Sequence, residues 1–167
     1  PYKIQTLNSI AVEGLRRLPQ PAYEVASDIG APDALVVRSA KLHDVPIPPS
    51  VLAVARAGAG VNNIPVAELS RRGVPVLNAP GANANAVKEL VIAGMLLAAR
   101  NLCQAWAFTE QLREEGAALD RAVEAGKQRF VGFELPGRTL GVIGLGAIGV
   151  QVANAAHALG MRVVGFD

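Results

Sequence analysis

The chain has a single cysteine among its 167 residues, and its aromatic share is only 4%. One thiol, Cys103, cannot form an internal disulfide framework, which excludes cysteine-stapled secreted scaffolds and fits a reducing, cytoplasmic setting. Charge is also scarce, at 18% of residues, and the net +2 arises from Lys and Arg scattered along the chain. No basic stripe is available to track a phosphate backbone, so no nucleic-acid partner is expected. Long hydrophobic runs are missing: the longest, "LVIAGMLLAA", has ten residues, against roughly 20 for a helix that crosses a bilayer. The first residues lack a basic stretch followed by an apolar one, so neither a signal peptide nor a membrane partner is expected. No His, Cys, Asp or Glu cluster has metal-ligand spacing, so no metal is expected.

What is present is aliphatic. Hydrophobic residues make up 51% of the chain, chiefly Ala, Val, Leu and Ile, a composition suited to parallel strands buried on both faces. "YKIQTL" predicts a first strand, and "NSIAVEGLRRL" a helix capped by Asn8 or Ser9. "ALVVRS" reads as a buried strand, and "VLAVARAGAG" as a helical turn followed by a short strand and a glycine-rich loop. "PVAELSRRG" predicts a short helix with Pro65 at its start and Gly73 at its end, and "VPVLNAP" another strand. Such alternation predicts a parallel sheet with helical crossovers.

The long segment "NAVKELVIAGMLLAARNLCQAWAFTEQLREEG" then predicts one long helix or two in succession. Its first part is apolar nearly all round, as in a helix buried between domains or subunits; its second, with Trp106 and Phe108 among charges, is amphipathic. Cys103 falls in this run and reads as a small buried residue. "GKQRFVGFELPGR" reads as an irregular connection with a turn at Pro136 and Gly137.

The stretch "TLGVIGLGAIGVQVANAAHALGMRVVGFD" carries the clearest motif. Gly144, Gly146 and Gly149 form a G-x-G-x-x-G pattern between a β-branched strand and a helical run, and a second strand ends in Asp167 eighteen residues later. That context is the start of a dinucleotide-binding Rossmann unit. Gly144 permits the tight turn, Gly146 lets a pyrophosphate approach the backbone, and Gly149 lets helix and strand pack closely. The amides around Ala147 and Ile148, at the helix N-terminus, attract phosphate charge. Asp167 accepts hydrogen bonds from ribose hydroxyls and disfavours a 2′-phosphate, so the expected cofactor is NAD.

"VVRSA", "ARAGAGVNNIP" and "GVPVLNAPGANANAVKEL", in that order and followed by "GRTLGVIGLGAIG", resemble the D-2-hydroxyacid dehydrogenase family over essentially the whole chain. The resemblance implies an α/β architecture: a flavodoxin-like parallel-sheet substrate domain over residues 1–84, completed by a returning C-terminal segment. The interdomain helix, a dimerisation arm and the first half of a Rossmann dinucleotide-binding domain then occupy 85–167. It implies NAD-dependent oxidation of a phosphorylated 2-hydroxy acid, D-3-phosphoglycerate in first place, as in serine biosynthesis. Glycerate and 4-phosphoerythronate are other candidates, and an NAD-sensing corepressor or a dimerisation module is a non-enzymatic alternative.

The residues themselves agree with parts of this. "AGAG" can gather backbone N–H groups into an anion nest, and Arg38, at the end of a buried strand, can offer a fork to a phosphate or carboxylate, or serve only a strand-end salt bridge. By resemblance, Arg38 and Ser39 meet the substrate's phosphate, while Gly58, Ala59 and Gly60 hold its carboxylate beside the nicotinamide, with Ala59 also on the cofactor side. Arg56 reads equally as structural or functional. "GANANAV" is a hinge or cleft-lining loop with Asn83 or Asn85 as helix cap. Three positions depart from the family pattern: Ala59 stands where Ser or Thr is frequent, Asn62 where many relatives have Asp, and Ala147 where many carry a phosphate-touching side chain. Oxidising a secondary alcohol also needs a base and a cation for the carboxylate. In the family these are a histidine paired with glutamate, and an arginine, all expected beyond residue 167. Neither His43 nor His157 reads as that base.

Overall fold

Residues Tyr2–Leu7 form β1, which lies between two later strands of one parallel sheet. The computed structural model describes residues 1–113 and 115–167, and they group into two units, Pro1–Asn83 and Ala84–Asp167. In the first unit β1 is followed by α1 (Val12–Leu15), β2 (Tyr23–Ala26), β3 (Ala34–Val37), β4 (Ala53–Arg56), α2 (Val66–Arg71) and β5 (Val76–Leu77). The strand order is β2-β1-β3-β4-β5 and every pairing is parallel. This is the flavodoxin-like order, and it confirms the expected α/β class.

The core of this unit is aliphatic. Val37, Val54 and Leu69 are wholly buried, and Leu35, Leu42, Val51, Ile64 and Val74 close around them. Leu69 lies on α2, so this one side chain, contributing about 2 kcal/mol of apolar burial, anchors the helix to the sheet. Glu68 in its first turn and Arg71 in its last suit the helix dipole.

Local expectations fail where tertiary pairing prevails over local pattern. The predicted helix from Asn8 shrinks to the four residues of α1, since Gly14 weakens it and Pro19 follows closely. Neither Asn8 nor Ser9 caps it: Ala11 holds the cap position without a side-chain bond. "VLAV" makes no helical turn, because Val51 and Val54 are both needed in the core and β4 pairs with β3 and β5. The short β2, "YEVA", has too little alternation to be read from sequence and is held in place by β1.

The second unit starts with α3 (Ala84–Ala99) and α4 (Leu102–Thr109), so the long apolar segment is two helices. Asn101, left-handed at φ 50°, separates them, and its side chain donates to the Val131 carbonyl at 3.2 Å. Among the described residues no single helix is long and apolar enough to cross a membrane; α3 and α4 reach that length only as a pair bent by 63°. The sequence reading missed α5 (Ala117–Lys127), which takes in the first two residues, Gly126 and Lys127, of the expected irregular connection. Phe108 of α4 lies against Gly126 of α5 and 5.4 Å from the Phe130 ring. α4 buries none of its residues completely, and Cys103 is exposed, correcting the buried reading. β6 (Thr139–Ile143), α6 (Gly149–Ala158) and β7 (Arg162–Phe166) follow, the strands pairing in parallel. Ala99, Leu135, Ala156 and Met161 form this unit's core, with α3 packed on α6.

Candidate functional site

A parallel sheet aims the carboxyl ends of its strands at one edge, and in this order the switch point falls between β1 and β3. The chain leaves those strands through Asn8, Arg38, Arg56 and Asn78. Asn8, at φ 81°, turns its side chain across the switch point, where Oδ1 accepts from the backbone N–H groups of Ser39 (3.0 Å) and Ala40 (2.7 Å). Its left-handed backbone is one Asn tolerates better than most residues. The segment carrying Arg38 and Ser39 is thus fixed by its backbone, leaving the side chains outside. Both residues are exposed, and the Arg38 guanidinium has no hydrogen bond or ion pair among the described residues. The strand-end salt bridge that would have explained Arg38 structurally is not formed.

The loop after β4 is a bend, and none of its residues 57–60 has a positive φ. The alternating handedness of one form of nest is therefore missing, yet amides are still freed by another route. Gly58 carbonyl accepts from Ala79 N–H at 2.9 Å, Ala59 carbonyl from Asn78 Nδ2 at 2.6 Å, and Gly60 carbonyl from Arg56 Nη1. With the carbonyls held elsewhere, the N–H groups of Ala59 and Gly60 donate to nothing among the described residues. Both residues are exposed. Two unpaired donors at the carboxyl edge of a parallel sheet can hold an anionic oxygen.

Two asparagines that sequence reasoning overlooked support this edge. Asn78 holds the Ala59 carbonyl. Asn63, only 8% exposed, donates through Nδ2 to the carbonyls of Ala40 (2.8 Å) and Arg38 (3.4 Å), while its Oδ1 is buried without a partner. For Asn78 the available signal was position, an Asn directly after β5 at the edge where ligands bind; Asn63, in the turn before α2, carried none. His43 is exposed, its Nε2 lies 3.1 Å from the Asn62 carbonyl oxygen, and among the described residues no carboxylate pairs with it. Asn85 does not cap α3; it sits in the first turn and donates to Glu89 Oε1 at 2.8 Å.

In the second unit the three glycines differ in what they require. Gly144 has φ 89°, the left-handed turn out of β6 that only glycine adopts cheaply. A Cβ on Gly149 would run into the Gly144 carbonyl oxygen and reach 3.4 Å from Val142, so close packing of helix on strand demands glycine there. A Cβ on Gly146 would meet nothing within 4 Å, leaving open space in front of the turn. The N–H groups of Gly146, Ala147, Ile148 and Gly149 donate to nothing among the described residues. Further along, the Val150 and Val152 amides are bonded to the Gly146 and Ile148 carbonyls as α6 begins. Four free donors at a helix N-terminus facing open space suit a pyrophosphate. Asp167 Oδ1 accepts from Leu145 N–H at 2.8 Å, and Gly144 N–H from the same turn reaches the Phe166 carbonyl at 2.7 Å. The acid at the end of β7 is therefore tied to the glycine turn while its second oxygen is free. His157 is exposed in the last turn of α6, away from these groups.

Residues 2–139 match the family described as D-isomer specific 2-hydroxyacid dehydrogenase, catalytic domain. The chain is 44% identical over 147 residues to D-3-phosphoglycerate dehydrogenase of Methanocaldococcus jannaschii, covering 86% of this chain and 26% of that protein. It is 39% identical over 138 residues to hydroxypyruvate reductase of Thermotoga maritima, covering 81% of this chain and 42% of that protein. Among solved structures, the NAD+-bound 3-phosphoglycerate dehydrogenase of Entamoeba histolytica aligns with a TM-score of 0.70 and 26% identity, over 99% of this chain and 54% of that one. The chain thus spans about a quarter to a half of the length of these relatives.

Proposed function

This chain belongs to the D-isomer-specific 2-hydroxyacid dehydrogenases, and from that premise we infer that the whole protein oxidises D-3-phosphoglycerate to 3-phosphohydroxypyruvate with NAD. The observation that carries the reading is the pairing of an unpartnered Arg38 with the free amides of Ala59 and Gly60 at one sheet edge. Arg38 supplies a two-point donor for a phosphate, and the two amides supply donors for a carboxylate. A substrate carrying both anionic groups uses both features, whereas glyoxylate or glycerate leaves Arg38 idle. The similarity to the phosphoglycerate dehydrogenase of M. jannaschii, at 44% identity, supports the same choice.

When bound, NAD would supply the hydride acceptor for oxidation at C2 of the hydroxy acid, a reaction that also needs a base for the hydroxyl proton. The residues of this chain hold and orient. The amides of Gly146 to Gly149 would hold the pyrophosphate, and the second oxygen of Asp167 would accept from the ribose hydroxyls, its charge opposing a 2′-phosphate. The base, its glutamate partner and the carboxylate-anchoring arginine lie outside these 167 residues, a reading supported by the lack of a carboxylate partner for His43 or His157 among the described residues. By itself the chain binds without turning over. The exposed apolar side chains of α3, α4 and the segment after α5, among them Leu90, Trp106 and Val131, support a homodimer formed through this unit.

The test is a substrate panel. NADH oxidation by the whole protein is measured with 3-phosphohydroxypyruvate, hydroxypyruvate and glyoxylate, and this chain is titrated calorimetrically with NAD and NADP. Highest kcat/KM on the phosphorylated keto acid and tighter binding of NAD are expected. Preference for hydroxypyruvate would move the assignment toward the activity named for the T. maritima relative, and turnover by the 167-residue chain would refute the placement of the base elsewhere.

A further inference from the structure

We propose that Arg56 is a positioning residue whose guanidinium braces the anion-binding loop, acting through backbone carbonyls and not by contact with the substrate. The inference rests on the reading of that loop as the carboxylate site. Arg56 ends β4, one residue before the loop, and its side chain folds back beneath it. Nε donates to the Arg38 carbonyl at 3.0 Å and Nη1 to the Gly60 carbonyl. One rigid planar group therefore ties the segment that presents Arg38 to the segment that presents the Ala59 and Gly60 amides. A guanidinium can do this because its donors are fixed in one fork; an ammonium on a flexible stem cannot hold both carbonyls at these positions.

The glycines of the loop fit the same account. Neither Gly58 nor Gly60 has a positive φ, so conformation does not require glycine at either. At Gly60 a side chain would displace the guanidinium from its place, whereas at Gly58 it would only touch it. A Cβ on Gly60 would stand 2.8 Å from Arg56 Nη1, and one on Gly58 would stand 3.6 Å from Nε and 3.7 Å from Cζ. The backbone lies directly on the Arg56 side chain. With Asn78 Nδ2 on the Ala59 carbonyl and Ala79 N–H on the Gly58 carbonyl, Arg56 completes a set that turns three successive carbonyls away from the ligand side. Arg56 also has a positive charge under the loop, which favours an anion above it.

The role separates from a charge effect by experiment. Amide spectra of the 167-residue chain are compared for wild type, Arg56→Lys and Arg56→Ala, first without ligand and then titrated with D-3-phosphoglycerate. Without ligand, the Ala59 and Gly60 amides are expected to shift and gain fast mobility in both variants, while Val37, Val54 and Leu69 keep their resonances and so report an intact fold. Affinity is expected to fall about tenfold or more in both, the scale of one lost charge-assisted bond. Ethylguanidinium is expected to restore the Gly60 resonance and the affinity of Arg56→Ala, and ethylammonium is not. An Arg56→Lys chain with wild-type Gly60 resonance and affinity overturns the brace, as does equal rescue by ethylammonium. If wild type shows no response at Ala59 and Gly60 to the probe, the carboxylate reading fails, and the ligand-free spectra still decide whether Arg56 orders the loop.

Discussion

Arg38 and the glycines of the dinucleotide turn separate binding from folding at single positions. Because the Arg38 side chain is exposed and unpartnered among the described residues, Arg38→Ala is expected to leave the melting temperature unchanged. Its affinity for D-3-phosphoglycerate should fall about tenfold, the scale of a lost charge-assisted contact, while affinity for unphosphorylated D-glycerate stays the same. Calorimetric titration with both acids checks this; equal loss on both would place the carboxylate, not the phosphate, at Arg38. In the turn, Gly146→Ala meets only open space and should keep stability within about 0.5 kcal/mol while weakening NAD binding. Gly149→Ala drives a Cβ into the Gly144 carbonyl and should cost about 1–3 kcal/mol as overpacking. Denaturant titration alongside NADH fluorescence distinguishes the two, and equal stability losses would contradict the assignment of separate duties.

At the scale of elements, small residues decide where helices touch. Gly126 of α5 is buried because the Phe108 ring of α4 occupies the space a Cβ would fill. That ring also lies 5.4 Å from Phe130, with the Arg129 guanidinium 4.5 Å from its centroid. Gly126→Ala therefore disturbs a ring pair and a cation–π contact together. A destabilisation of about 1–3 kcal/mol is expected, read by urea unfolding, with NAD affinity retained because the glycine turn is elsewhere in the unit. The break between α3 and α4 has a similar local cause. Asn101 adopts the left-handed conformation and uses its side chain to hold the Val131 carbonyl, so one residue ends one helix and locates the segment after α5.

For the molecule as a whole, the distribution of exposed apolar surface is uneven. Leu90, Trp106 and Val131 are 73%, 66% and 75% exposed, all in the second unit, whereas the first unit encloses eight buried aliphatic core residues. The first unit also exposes Tyr2, Val12, Val45, Leu52 and Leu77, but more of the exposed apolar side chains lie in the second unit, which is where the proposed dimer is placed. Sedimentation velocity is expected to show a dimer, and Trp106→Glu a monomer with an unchanged fold by circular dichroism. A wild-type monomer at micromolar concentration would remove the dimer from the functional reading.

The parallel α/β class, the strand-turn-helix-strand around Gly144 to Gly149 and the acid at Asp167 were legible from the amino acids alone. Each depends on neighbours in sequence: aliphatic strands bounded by turns, and glycine spacing set by one tight loop. The family followed from motif order. What tertiary structure decided is how distant segments constrain one another. Asn8 is no helix cap because Ser39 and Ala40, thirty-one and thirty-two residues away, claim its oxygen. Asn63 carries no local pattern and Asn78 only its place after a strand, and their bonds exist only because β3, β4 and β5 end side by side. Arg56, ambiguous in sequence, becomes a bridge between two carbonyls eighteen and four residues from it. Hydrogen-bond partners of a side chain at a sheet edge are set by strand order, and strand order follows from which apolar faces bury together, a long-range property that no local window contains.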